Sequence, residues 1–146
     1  MKRPMSSVVL AVTSSVVMRL GLYFVFVRPP LLPEDLHFLE RSRTQVDGTI
    51  PLLTTWLRDV FRVMGGYMFA MGVVSFYVAV TAFRDRQRGA AVVAALAGAA
   101  SVGGMAAVNF MIDSNFRWHL LLLAVLWLFA LVLYWVERTP RKSRDT

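Results

Sequence analysis

Twenty-four consecutive residues without a charge, residues 89–112 (GAAVVAALAGAASVGGMAAVNFMI), constrain this chain more than any other feature. At about 1.5 Å of rise per residue, a helix of that length crosses the roughly 30 Å hydrocarbon core of a bilayer. It is also slender, since 14 of the 19 residues at 89–107 are Gly, Ala or Ser. Ala94 and Gly98, Ala99 and Gly103, Ala100 and Gly104, and Gly103 and Ala107 form four-residue small pairs over much of its circumference. In lipid such pairs let neighbouring backbones approach closely, and van der Waals contact stands in for the missing hydrophobic drive. The expectation is a thin helix inside a bundle, with the other apolar segments packed around it.

Three further apolar runs fit that bundle. Residues 8–27 follow Lys2 and Arg3 and end at Pro29-Pro30, which cannot continue a helix. A basic start before an apolar run also describes a signal peptide, but no small-x-small cleavage site precedes Arg28, so the run reads as a first span. Residues 60–83 and 118–136 supply the second and fourth spans, with Trp118 at one end of the fourth and Tyr134 and Trp135 at the other as interface anchors. Between the first two spans lies the one substantial loop. Pro33-Glu34-Asp35 starts a short surface helix reaching about Ser42, Val46-Asp47-Gly48-Thr49 reads as a turn, and Pro51 opens the second spanning helix. Asp113-Ser114-Asn115 is a turn and cap for the fourth. The tail at 139–146 is polar and expected to be disordered. The fold class expected is therefore all-α: a single domain, an integral membrane bundle of four transmembrane helices.

Composition agrees, with 57% hydrophobic residues and a mean hydropathy of +0.56. The absence of cysteine excludes disulfide frameworks, thiolate metal sites and CxxC redox chemistry. The net charge of +7 is distributed by topology, which argues for orientation in a membrane and against nucleic acid as a partner. Nine Lys and Arg fall on the side holding the amino end, residues 84–88 and the tail, against six on the other. The positive-inside rule then puts both termini in the cytoplasm. High Ala, Val and Arg content fits a GC-rich bacterium, and so an inner (plasma) membrane.

Arg19 is the sharpest candidate for chemistry, a lone charge well inside the first span. A lipid-facing charge at such depth costs at least about 3 kcal/mol. Arg19 is therefore expected to face the bundle and to meet carbonyls, the hydroxyls of Ser14, Ser15, Ser75 or Ser101, Asn109, or a carboxylate, with Asp59 and Asp113 closest in depth. At the outer helix ends, Arg58, Asp59 and Arg62 share one turn, Asn109 and Asp113 are an i,i+4 pair, and Arg117 and His119 begin the fourth helix. Arg19, Asp59, Arg62, Asn109, Asp113 and His119 are thus the candidate ligand-binding residues, set against a plainer reading as a register-fixing arginine and an ordinary interfacial layer. His37 and His119 share no metal-ligand spacing, and no nucleophile elbow or phosphate loop is present, so neither a metal, a cofactor nor a catalytic residue is expected. Tyr67, Phe69, Phe76 and Tyr77 with Met64, Met68 and Met71 make the second span bulky, suited to filling space beside the slender third or to lining a cavity for a quinone or acyl chain. Gly65, Gly66 and Gly72, with Ala94, Gly98, Gly103 and Gly104, are the candidate helix-packing residues.

The run Arg62-Val63-Met64-Gly65-Gly66-Tyr67-Met68-Phe69-Ala70-Met71-Gly72, a basic residue before a Gly-Gly and a later Gly, resembles a pattern in small bacterial four-helix membrane families loosely grouped with DoxX-like proteins. The length, four spans and long first outer loop are similar too. The resemblance implies a fold and carries no catalytic residues. Small multidrug transporters differ in placing an acid in the first span, which here holds Arg19 and no acid. Three functional readings remain open. The first is a non-enzymatic accessory subunit that packs against a second copy or another membrane protein. The second is a binder or transporter of an amphipathic or anionic small molecule centred on Arg19, and the third an enzyme acting on a lipid or quinone.

Overall fold

The computed structural model describes residues 4–138, the side chain of Arg138 apart, and the described chain is helical with no strand. Lys2, Arg3 and the tail at 139–146, on which part of the expected orientation and disorder rest, lie outside the described residues. Four helices are long and apolar enough to cross a membrane: Met5–Phe26, Leu53–Phe83, Ala90–Met111 and Arg117–Glu137. The first, α1, covers Met5–Phe26 and stops just before Pro29-Pro30. Two short helices follow in the loop, α2 at Pro33–Phe38 and α3 at Arg43–Thr49. The second span is α4, Leu53–Val78, continued by one wide π turn at Ala79–Phe83. The third is α5, Ala90–Gly98, a second π turn at Ala99–Gly103, and α6, Gly104–Met111. The fourth is α7, Arg117–Arg138.

Helix α3 stands where a turn was expected at residues 46–49. Its cause is local: Ser42 Oγ accepts from the Gln45 amide (3.3 Å) and Gln45 Oε1 accepts from the Ser42 amide (2.8 Å), a reciprocal capping box. That box outweighs Asp47-Gly48, whose glycine keeps ordinary helical geometry. Helix α2 starts as expected at Pro33, and Asp35 Oδ2 accepts from the Leu32 amide at 2.8 Å. Asp113 takes a left-handed conformation (φ 54°) to reverse the chain, and Ser114 Oγ then accepts from the Phe116 amide at 3.2 Å just before α7.

The organising helix is α1, not the slender third span. Helix α1 packs most extensively against α4 and next against α7, while the third span leans mainly on α7 and touches α4 near one end only. The reason lies in small residues seven apart on two antiparallel spans: Ser7, Ser14 and Gly21 on α1, and Gly65 and Gly72 on α4 with Ala79 at the start of its π turn. Ser7 Oγ donates to the Ala79 carbonyl at 2.6 Å, and a Cβ placed on Gly65 would lie 2.7 Å from the Gly21 carbonyl oxygen. Those two contacts fix the register, with buried Ser14 and Gly72 midway between them. Backbone against backbone is the contact that lipid rewards, because apolar side chains gain little by leaving it.

Candidate functional site

The two ends of the bundle are built differently. At one, a clasp joins three segments: Arg86 is ion-paired with Glu137, donates to the Tyr134 carbonyl (2.9 Å) and to Ser6 Oγ (3.1 Å), and lies over the Tyr134 ring at 4.3 Å. Glu137 also accepts from the Met5 amide (2.9 Å) and Ser6 Oγ (2.6 Å), so the start of α1, the connection at residues 84–89 and the end of α7 are tied together. Arg86 itself takes a left-handed conformation (φ 57°) to reach this position.

At the loop end, Arg28 is nearly buried, pairs with Asp35 at 3.2 Å and lies 3.6 Å from the Phe61 ring centroid and 5.2 Å from that of Phe24. The pair holds α2 across the tops of α1 and α4. Beneath it lies a cavity of about 300 Å³ whose lining includes Leu31, Phe38, Leu39, Leu57, Phe61 and Ile112, almost wholly apolar, with Asp35 at its edge. A smaller cavity of about 160 Å³ lies among Leu10, Met71, Ser75, Val78, Ala94, Ala97 and Trp127, where all four spans meet. There Trp127 Nε1 donates to the Ala94 carbonyl at 2.9 Å, and the indole occupies the space a side chain on Gly98 would need.

The six candidate ligand-binding residues are not brought together. Asp59 and Arg62 form an exposed ion pair with each other at 3.3 Å. Asn109 donates back to the Met105 carbonyl of its own helix at 2.9 Å, and Asp113 is paired with Arg117. His119 is exposed, its ring 6.3 Å from that of Phe116, and His37 is exposed on α2. None of the six lines either cavity. Asp59, Arg62, Asn109 and Asp113 thus each bond to a near neighbour in sequence.

Arg19 is the departure. It was expected to face the bundle; it is exposed, on the face of α1 directly opposite the buried Leu10, Val17 and Gly21. Met5, Val8, Val12, Leu22 and Phe26 share that outward face, all exposed and all apolar. Among the described residues Arg19 has neither a hydrogen bond nor an ion pair, whereas Arg28, Arg62, Arg84, Arg86 and Arg117 each pair with a carboxylate. On the opposite face at that level the α1–α4 seam is closed, since a Cβ on Gly21 would press on the Phe69 backbone and one on Gly72 on Met18.

No family model, curated protein or solved structure matches this chain. Of the candidate packing residues, Gly65, Gly72, Ala94 and Gly98 are buried between helices. Gly66 is exposed with open space beside it, and Gly103 and Gly104 meet only carbonyls of their own helix, so these three take no part in close packing within the chain. The Arg28–Asp35 latch and the Arg86–Glu137–Ser6 clasp went unread in the sequence, because each joins residues whose proximity only the fold creates. The heptad of small residues shared by the first two spans was a signal present in the sequence.

Proposed function

We propose that the chain is a non-enzymatic accessory subunit of a membrane assembly, inserted in a bacterial inner (plasma) membrane with both termini cytoplasmic, and that it binds another membrane protein through the outward face of α1. The observation that carries this reading is Arg19, a charge with neither a hydrogen bond nor an ion pair among the described residues, on a face whose other exposed residues are all apolar. Charged groups inside membranes pair with one another, meet backbone carbonyls or border water, and an isolated one in lipid is costly. The bundle answers Arg28 and Arg86, both half-buried, with its own carboxylates and rings. Arg19 is left for something outside the chain. The resemblance to DoxX-like four-helix proteins supports the architecture and leaves the activity open.

The test is purification in mild detergent. A second polypeptide is expected to co-elute with the intact chain and to be lost on Arg19→Ala, while the variant keeps its thermal unfolding transition because Arg19 supports nothing inside the bundle. Co-elution that ignores the substitution, or a chain that purifies alone, would count against the reading.

A second reading has an observation of its own. The apolar cavity of about 300 Å³ below the Arg28–Asp35 latch has the size and lining to hold an acyl segment of an amphipathic molecule. It places that ligand at the loop end, away from Arg19.

A further inference from the structure

Resting on the partner reading, we infer that the partner of α1 is a different membrane protein whose spanning helix carries an Asp or Glu set about 10 Å inside the boundary at the loop end. Arg19 lies seven residues from Phe26 and fourteen from Met5, or about 10 Å and 21 Å along the helix axis. The nearer boundary is therefore at the loop end. In an α-helix, however, each Cα–Cβ bond tilts toward the amino terminus, and the amino terminus of α1 is at the clasp end. The Arg19 stem thus leans away from the nearer headgroups and toward the middle of the membrane. Snorkelling, the usual escape for a long cationic side chain, works against that geometry here.

What meets the guanidinium must then lie within the hydrocarbon layer and must be anionic. A second copy of this chain does not qualify. Antiparallel packing of α1 on α4 puts Gly21 beside Phe69 and Met18 beside Gly72, and no Asp or Glu occurs within residues 5–26, 60–83, 90–111 or 118–136 of the four spans. The carboxylates nearest the spans, Asp59, Asp85, Asp113 and Glu137, lie at the helix ends and are each already paired with an arginine. Lipid phosphates lie beyond the hydrocarbon boundary, on the far side of the gap that Arg19 leans away from. A carboxylate carried on a foreign helix satisfies depth, sign and dryness together. The exposed Val8, Val12, Leu22 and Phe26 would flank it on either side as the apolar contact surface.

Photo-crosslinking tests this in membranes of the cells that make the protein, with benzoylphenylalanine placed at Val12 or Leu22 of the full chain. The expected products are adducts from both positions to one spanning helix of a different protein, with an Asp or Glu at the level of Arg19. Arg19→Gln should lower adduct yield roughly tenfold or more and Arg19→Lys should retain much of it, since a fully desolvated ion pair depends on charge. Converting the partner's acid to its amide should reproduce the loss. Adducts to a foreign helix without an acid, or to a second copy of this chain, would overturn the carboxylate assignment while leaving a binding face. Adducts to phospholipid alone would overturn the partner reading itself.

Discussion

At the scale of single residues, glycine has two meanings in this chain, and Gly65 and Gly66 separate them. A methyl on Gly65 would press on the Gly21 carbonyl oxygen at 2.7 Å and on the Val25 amide and Phe24 Cβ at 2.8 Å, so backbone would have to move. Gly65→Ala is expected to destabilise the fold by about 1–3 kcal/mol, the usual cost of overpacking. Gly66→Ala meets nothing within 4 Å and should be neutral, or stabilising by up to about 1 kcal/mol through helix propensity. Unfolding of both variants in detergent micelles would show the contrast, and equal effects would contradict the α1–α4 register. The sequence offered both glycines as packing residues, since adjacent positions differ only in which way the helix turns them. Arg19 was misplaced for a related reason. Its cost in lipid was legible, but which way α1 turns it was not, and the small residues Ser7, Ser14 and Gly21 that set that rotation put Arg19 on the exposed face.

At the scale of elements, the four spans and the start of α2 were legible because length and uninterrupted apolarity are strong signals in a bilayer. The packing order was not. Abundance of small residues drew attention to the third span, whereas seven-residue spacing of fewer small residues on α1 and α4 decides which helices touch. The short α3 was hidden behind Asp47-Gly48, although its cap, Ser42 with Gln45, was in plain view. The clasp makes its own prediction. Glu137→Gln removes the charge that holds Arg86 and weakens the bonds to Ser6 and Met5, and should lower stability by about 1–3 kcal/mol. A double-mutant cycle with Arg86→Met would show the two effects to be strongly non-additive; independent effects would mean that the segments are held by apolar packing alone.

At the scale of the whole molecule, the proposed orientation is open to direct labelling, because the chain contains no cysteine to remove. A single cysteine at Thr44, exposed on α3, should react with an impermeant maleimide in intact cells; one at Gln87, exposed beside the clasp, should react only after the membrane is opened. The reverse pattern would invert the topology. The position of the clasp also bears on how the molecule comes into being. Thr13, Ser14 and Ser15 return their hydroxyl protons to carbonyls of α1 itself, so these three hydroxyls need no neighbouring helix to satisfy them in lipid. Arg86, by contrast, has no carboxylate to meet in the clasp until residue 137 has been made, so the joint between the first and fourth spans closes only after all four have been translated.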